Sequence, residues 1–68
     1  MENSHLYTVA AIGIKARSRT YNTRRDANEY MYRLVRKHNL TLKEVWDDKH
    51  YKTYNFSNGI KIFVNRVL

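Results

Sequence analysis

The 68-residue chain has no cysteine, no proline and only two glycines, and its 6 acidic residues stand against 13 lysines and arginines. Without cysteine there are no disulfides, cysteine-built zinc fingers, iron–sulfur clusters or thiol nucleophiles. A chain this short must then hold together by packing or through a partner. Glycine occurs only at Gly13 and Gly59, so neither G-x-x-x-x-G-K-[ST] nor G-x-G-x-x-G exists, which sets aside phosphate-loop and dinucleotide sites. No apolar run approaches the roughly 18 residues of a membrane span. The opening Met1-Glu2-Asn3-Ser4-His5 lacks the positive-then-apolar layout of a signal peptide. These absences leave a cytoplasmic location as the expectation, with no membrane partner and no cofactor.

What is present is apolar enough to fold. Hydrophobic residues make up 43% and aromatics 13%, which excludes a disordered basic tail. Residues 1–68 are expected to form a single small α+β domain. A domain of this size buries only about 60% of the surface its unfolded chain exposes, so one thin core is possible and an enclosed cavity is not expected. The formal net charge is +7. Such an excess draws polyanions, because neutralised phosphates release their condensed counterions. The bland alternative is a solvated, merely soluble surface.

Residues 23–38 carry the clearest periodicity. Ala27, Tyr30, Met31, Leu34, Val35 and His38 recur at i, i+3, i+4, i+7, i+8 and i+11, the stripe of an amphipathic helix. Thr23 is placed to cap its start and Asn39 to end it in a left-handed conformation. Glu29 is within i±4 reach of Arg25 and Arg33. Arg24 and Arg25 oppose the helix dipole, a local conflict that hints at another use for them.

Strands surround this helix. Leu6–Ile12 is rich in strand formers. It either continues through Ile14 with a bulge at Gly13, or turns near Ala11–Ile14 into a second strand from Lys15 to Tyr21; the hairpin is preferred. In that hairpin Lys15, Arg17, Arg19 and Tyr21 alternate onto one face. Leu40–Trp46 reads as a strand, with a short helix from Thr41 as its rival. Tyr51–Phe56 places Tyr54 and Phe56 on one side, Ser57-Asn58-Gly59 is the strongest turn, and Ile60–Val64 follows with Ile60, Ile62 and Val64 on one face. The expected architecture is one antiparallel sheet of four to five strands with the helix packed on one face and the other face open. The expected core is Leu6, Val9, Ile12, Ala27, Met31, Leu34, Val35, Leu42, Trp46, Phe56, Ile60, Ile62 and Val64.

For chemistry, the acid/histidine concentration is Glu44, Asp47, Asp48 and His50. Asp47-Asp48-x-His50 offers oxygen and nitrogen ligands for a divalent ion and a small metal-dependent nuclease, but aspartate in a hairpin turn ordinarily bonds its own backbone. Glu2 lies near the terminus, and no catalytic residue or metal site is assigned. Two other constellations stand out. Lys15, Arg17, Arg19, Arg24 and Arg25 place five cations in eleven residues with Tyr21 interleaved, and arginine forks match phosphate oxygens. Arg33, Arg36 and Lys37 read as a separate helical stripe. The aromatics outnumber what a one-helix core can hold; Phe63 falls on the open sheet face with Lys52, Lys61 and Lys43 in the same strands. Tyr54 and Phe63 are candidates for stacking, and rings with lysines on a sheet suit either single-stranded nucleic acid or a protein interface. A second copy pairing at a sheet edge would bury Phe63 in a homodimer.

Thr23-Arg24-Arg25-Asp26-Ala27-Asn28-Glu29-Tyr30 and Val45-Trp46-Asp47-Asp48-Lys49-His50-Tyr51-Lys52-Thr53-Tyr54 give the chain a look that resembles small early-region proteins of phages of Gram-positive bacteria. The resemblance implies a protein that binds a host enzyme or nucleic acid stoichiometrically, in the host-cell cytoplasm, and transfers no site residue. The leading expectation is therefore a non-enzymatic basic module that binds nucleic acid. The nearest competitor is a phage-encoded modulator that docks an acidic host protein surface.

Overall fold

Thr23 sets the helix in register. Its extended backbone and side-chain oxygen, which accepts from Asp26 N at 3.1 Å, start α1 over Arg24–Lys37. His38 caps the other end, and Asn39 turns the chain out at φ 53°. A computed structural model describes residues 5–48 and 51–67. In it the strands are β1 (Tyr7–Ile12), β2 (Arg19–Tyr21), β3 (Leu42–Asp47), β4 (Tyr51–Phe56) and β5 (Lys61–Arg66). They form one antiparallel sheet in the order β2-β1-β5-β4-β3. The α+β expectation of one helix on a four-to-five-stranded sheet is met.

The helix packs over β1, β2 and β5. Ala27, Tyr30, Met31 and Leu34 close onto Val9, Tyr54, Phe56, Ile62 and Val64. These are the i, i+3, i+4, i+7 positions of the helix and the alternate positions of the strands. The register carries the other set onto the uncovered face: Ala10 and Ile12, Lys61 and Phe63, Thr53 and Asn55, Glu44 and Trp46. Asn58 and Gly59, at φ 68° and 76°, make the β4–β5 turn, closed by Phe56 N donating to Ile60 O at 2.8 Å.

Three core expectations fail. Ile12 is exposed because it stands three residues from Val9 in a strand of period two, which turns it to the open face. Leu42 and Trp46 are exposed because β3 is an edge strand beyond the helix, and every residue in it is exposed. A register shift between Leu42 and Glu44 also parts them: Leu42 faces the helix side and Trp46 the open side. Leu6, Val35 and Ile60 are half-buried at the core's margin. Trp46 is replaced in the core by Tyr30 and Tyr54.

The segment 13–18 also departs from expectation. The hairpin exists, but its second strand is only Arg19–Tyr21. Lys15 and Arg17 therefore do not alternate with Arg19 and Tyr21 on a strand. Gly13 breaks the ladder at φ 94°, after which Ile14 and Ala16 pack against the core and Arg17 O accepts the Tyr30 hydroxyl at 2.9 Å. Over Leu42–Asp47 the strand reading holds against the short helix from Thr41. The homodimer expectation is corrected in one respect. The sheet edges are β2 and β3, whereas Phe63 lies on the central strand β5, so an edge-paired copy would not cover it.

A first prediction arises at Gly13. A Cβ there would stand 3.1 Å from Ile60 Cγ1 and 3.3 Å from Ile60 Cα, whereas at Gly59 nothing lies within 4 Å. Both glycines carry the left-handed penalty of about 1–2 kcal/mol when given a side chain. Gly13→Ala is expected to lose more stability than Gly59→Ala by urea denaturation. Equal losses would show that the approach of Ile60 is not felt.

Candidate functional site

The tethered 13–18 segment forms one wall of a cleft rich in cations. Lys15, Ala16, Arg17 and Arg19 face Tyr30, Arg33, Leu34 and Lys37 of α1 across a concavity of about 350 Å³. Arg33 and Lys37 are one helical turn apart and flank the buried stripe at Tyr30 and Leu34. Two local interactions hold the opposing wall. The Tyr30 hydroxyl donates to Arg17 O at 2.9 Å, and the Arg19 guanidinium lies 5.2 Å from the Tyr30 ring centroid. The cation–π contact leaves the edge of the guanidinium fork free for hydrogen bonding.

Five cations thus surround one cleft that no carboxylate lines among the described residues. The ion pairs Arg25–Glu29 at 3.8 Å and Lys52–Asp47 at 3.6 Å lie elsewhere. Like charges gathered round a concavity raise the local potential and concentrate anions there. The cleft can receive a phosphate chain or a carboxylate-rich surface.

The sequence-derived site residues part company here. Lys15, Arg17 and Arg19 belong to the cleft. Tyr21 does not stand free beside them; it is half-buried, 5.9 Å from the Tyr30 ring. Arg24 and Arg25 occupy the start of α1, about 12–14 Å from Arg33 by helical rise. There Arg24 lies 5.4 Å over the Tyr7 ring, beside Asp47 and Asp48 at a cavity of about 10 Å³, and Arg25 pairs with Glu29. Lys52 lies on the helix side, 6.0 Å from the Tyr54 ring and paired with Asp47. Tyr54 is buried in the core, so its ring is not available for stacking. Lys61 and Phe63 are on the open face. Arg33 and Lys37, read from sequence as a separate stripe with Arg36, join the cleft, while Arg36 does not line it. Their spacing from Tyr30 and Leu34 was visible in the sequence; the fold of 13–18 against them was not.

The metal expectation rests partly on residues outside those described: His50 and Lys49 lie there, as does Glu2. Among the described residues no three histidine, cysteine or acidic side chains could hold a metal ion. Nor is any described helix long and apolar enough to cross a membrane. Comparison with protein-family models, curated proteins and solved structures finds no match.

Proposed function

We propose that the protein is a non-enzymatic binding module for nucleic acid, and that the cleft between the 13–18 segment and α1 receives the phosphate backbone. The observation that carries this reading is the convergence of Lys15, Arg17, Arg19, Arg33 and Lys37 on one concavity that no carboxylate lines among the described residues. Ammonium and guanidinium groups from two separate elements can bracket a phosphate chain from both sides. Arginine forks give bidentate contacts, and lysines act as point charges.

The test is binding of a labelled oligonucleotide across a salt series. Each phosphate contact contributes about 0.9 to the slope of log K against log salt on duplex, and about 0.7 on single strand. A cleft using all five cations gives a slope of about 3.5–4.5. No binding at low salt, or salt-independent binding, would falsify the proposal. A second reading, docking to an acidic protein surface, is favoured by a different observation. Tyr32 and Leu42, both exposed, border an apolar trough with Met31 and Val35. A stoichiometric protein complex that forms after nuclease treatment, with no oligonucleotide binding, selects that reading.

A further inference from the structure

Trp46, expected in the core, instead stands on the open face of the sheet at 54% exposure. An exposed indole usually swings freely, but this one is held twice. Its Nε1 donates to Glu44 Oε2 at 2.5 Å, and the Lys61 ammonium sits 5.0 Å from its ring. Lys61 is itself fixed, donating to Asn55 Oδ1 at 2.6 Å. The cross-strand register runs Trp46–Thr53–Phe63, so a second ring stands two strands away with only a threonine between. Trp46, Asn55, Lys61 and Lys43 line a concavity of about 220 Å³. Asn55 Nδ2, itself buried in a residue only 8% exposed, has no acceptor among the described residues.

Resting on the nucleic-acid reading above, we propose that the open face is a stacking platform for unpaired bases, and that the substrate class is single-stranded nucleic acid. Bases within a duplex are already stacked on both faces and cannot offer a ring to Trp46; unpaired ones can. A pre-oriented indole loses little side-chain entropy on stacking. Lys43 and Lys61 stand against one carboxylate, Glu44, at this concavity, so its local charge is small. Stacking here is accordingly less sensitive to salt than phosphate binding in the cleft. Tyr54, in contrast, is sealed in the core and has no part in the platform.

The chain has a single tryptophan, so its fluorescence reports this position alone. The experiment titrates the full chain with an oligothymidylate and with a blunt duplex of equal length, at moderate salt. The single strand is expected to quench Trp46 and the duplex to leave it unchanged. Trp46→Ala is expected to weaken single-strand binding by about tenfold to a hundredfold, while Trp46→Phe keeps most of the affinity. Duplex binding and its salt slope stay as in the parent. Circular dichroism verifies that each variant folds, and the tryptophan emission of Phe63→Ala provides a second variant if Trp46→Ala does not. Single-strand binding that leaves Trp46 emission unmoved, or duplex quenching equal to single-strand quenching, overturns the platform and leaves the cleft standing. Quenching that persists when the cleft cations are neutralised, with an unchanged salt slope, removes the cleft and keeps the platform. Absence of binding at low salt removes both.

Discussion

Neutralising Lys15, Arg17, Arg33 and Lys37 together, each to glutamine, is expected to lower oligonucleotide affinity roughly a thousandfold at about 0.1 M salt. The estimate follows from counterion release. Four lost contacts remove about three from the slope of log K against log salt, and the difference grows as salt falls below the molar reference. All four side chains are exposed, and glutamine keeps the helix propensity of Arg33 and Lys37. The substitutions spare Arg19, whose guanidinium packs on Tyr30, and the Arg17 carbonyl that anchors the Tyr30 hydroxyl. Stability is therefore expected to change by no more than about 0.5 kcal/mol per site. The informative control is Arg24→Gln with Arg25→Gln. If phosphates follow the basic run along the chain, this pair weakens binding as much as any two cleft substitutions. If they follow the cleft, the pair has a small effect, since Arg24 and Arg25 are elsewhere and one already serves Glu29. Fluorescence anisotropy over a salt series separates the two outcomes, and equal losses from both pairs would sink the cleft.

That control isolates what the sequence could and could not reveal. The helix was legible because Ala27, Tyr30, Met31 and Leu34 repeat at helical spacing between a threonine cap and an asparagine stop. The faces of β4 and β5 were legible because Tyr54 and Phe56, then Ile62 and Val64, alternate on either side of an Asn-Gly turn. Alternation fails as a guide where the backbone leaves period two. At β3 the shift between Leu42 and Glu44 turns Trp46 outward, and being an edge strand removes the cover a core residue needs. At 13–18, the alternation of Lys15 and Arg17 with Arg19 and Tyr21 reads as strand, yet Gly13 ends the ladder and Ile14 and Ala16 find apolar partners in the core. Tertiary packing overrides local propensity there. The cleft depends on this same segment, so three of its five cations, Lys15, Arg17 and Arg19, could be named as site residues from sequence, but not the wall they face. Trp46 was hidden for the opposite reason: a large apolar residue is assigned to the interior by default, and only the sheet order shows that no interior exists at β3.

Adjacent residues on the central strand give the sharpest test of which face holds the fold. Ile62 is 0% exposed, paired with Ala11 on β1 and Tyr54 on β4 beneath the helix. Ile62→Ala is expected to cost about 2–5 kcal/mol, combining lost burial with the cavity left behind. At about 0.05–0.15 kcal/mol per residue, a domain of this length has about 3–10 kcal/mol in all, so the variant is expected to be substantially unfolded at 37 °C. Phe63→Ala, one residue on, removes a larger side chain from the half-exposed open face and is expected to cost about 1 kcal/mol or less. Urea denaturation followed by far-ultraviolet circular dichroism reads both. Comparable losses would mean that the open face is packed in solution, as it would be against a second copy, and the platform would then lack a free surface. A large loss at Ile62 with a small one at Phe63 has the reverse consequence. The rings of that face are then not required for folding, and binding lost on substituting them reflects the ligand and not the fold.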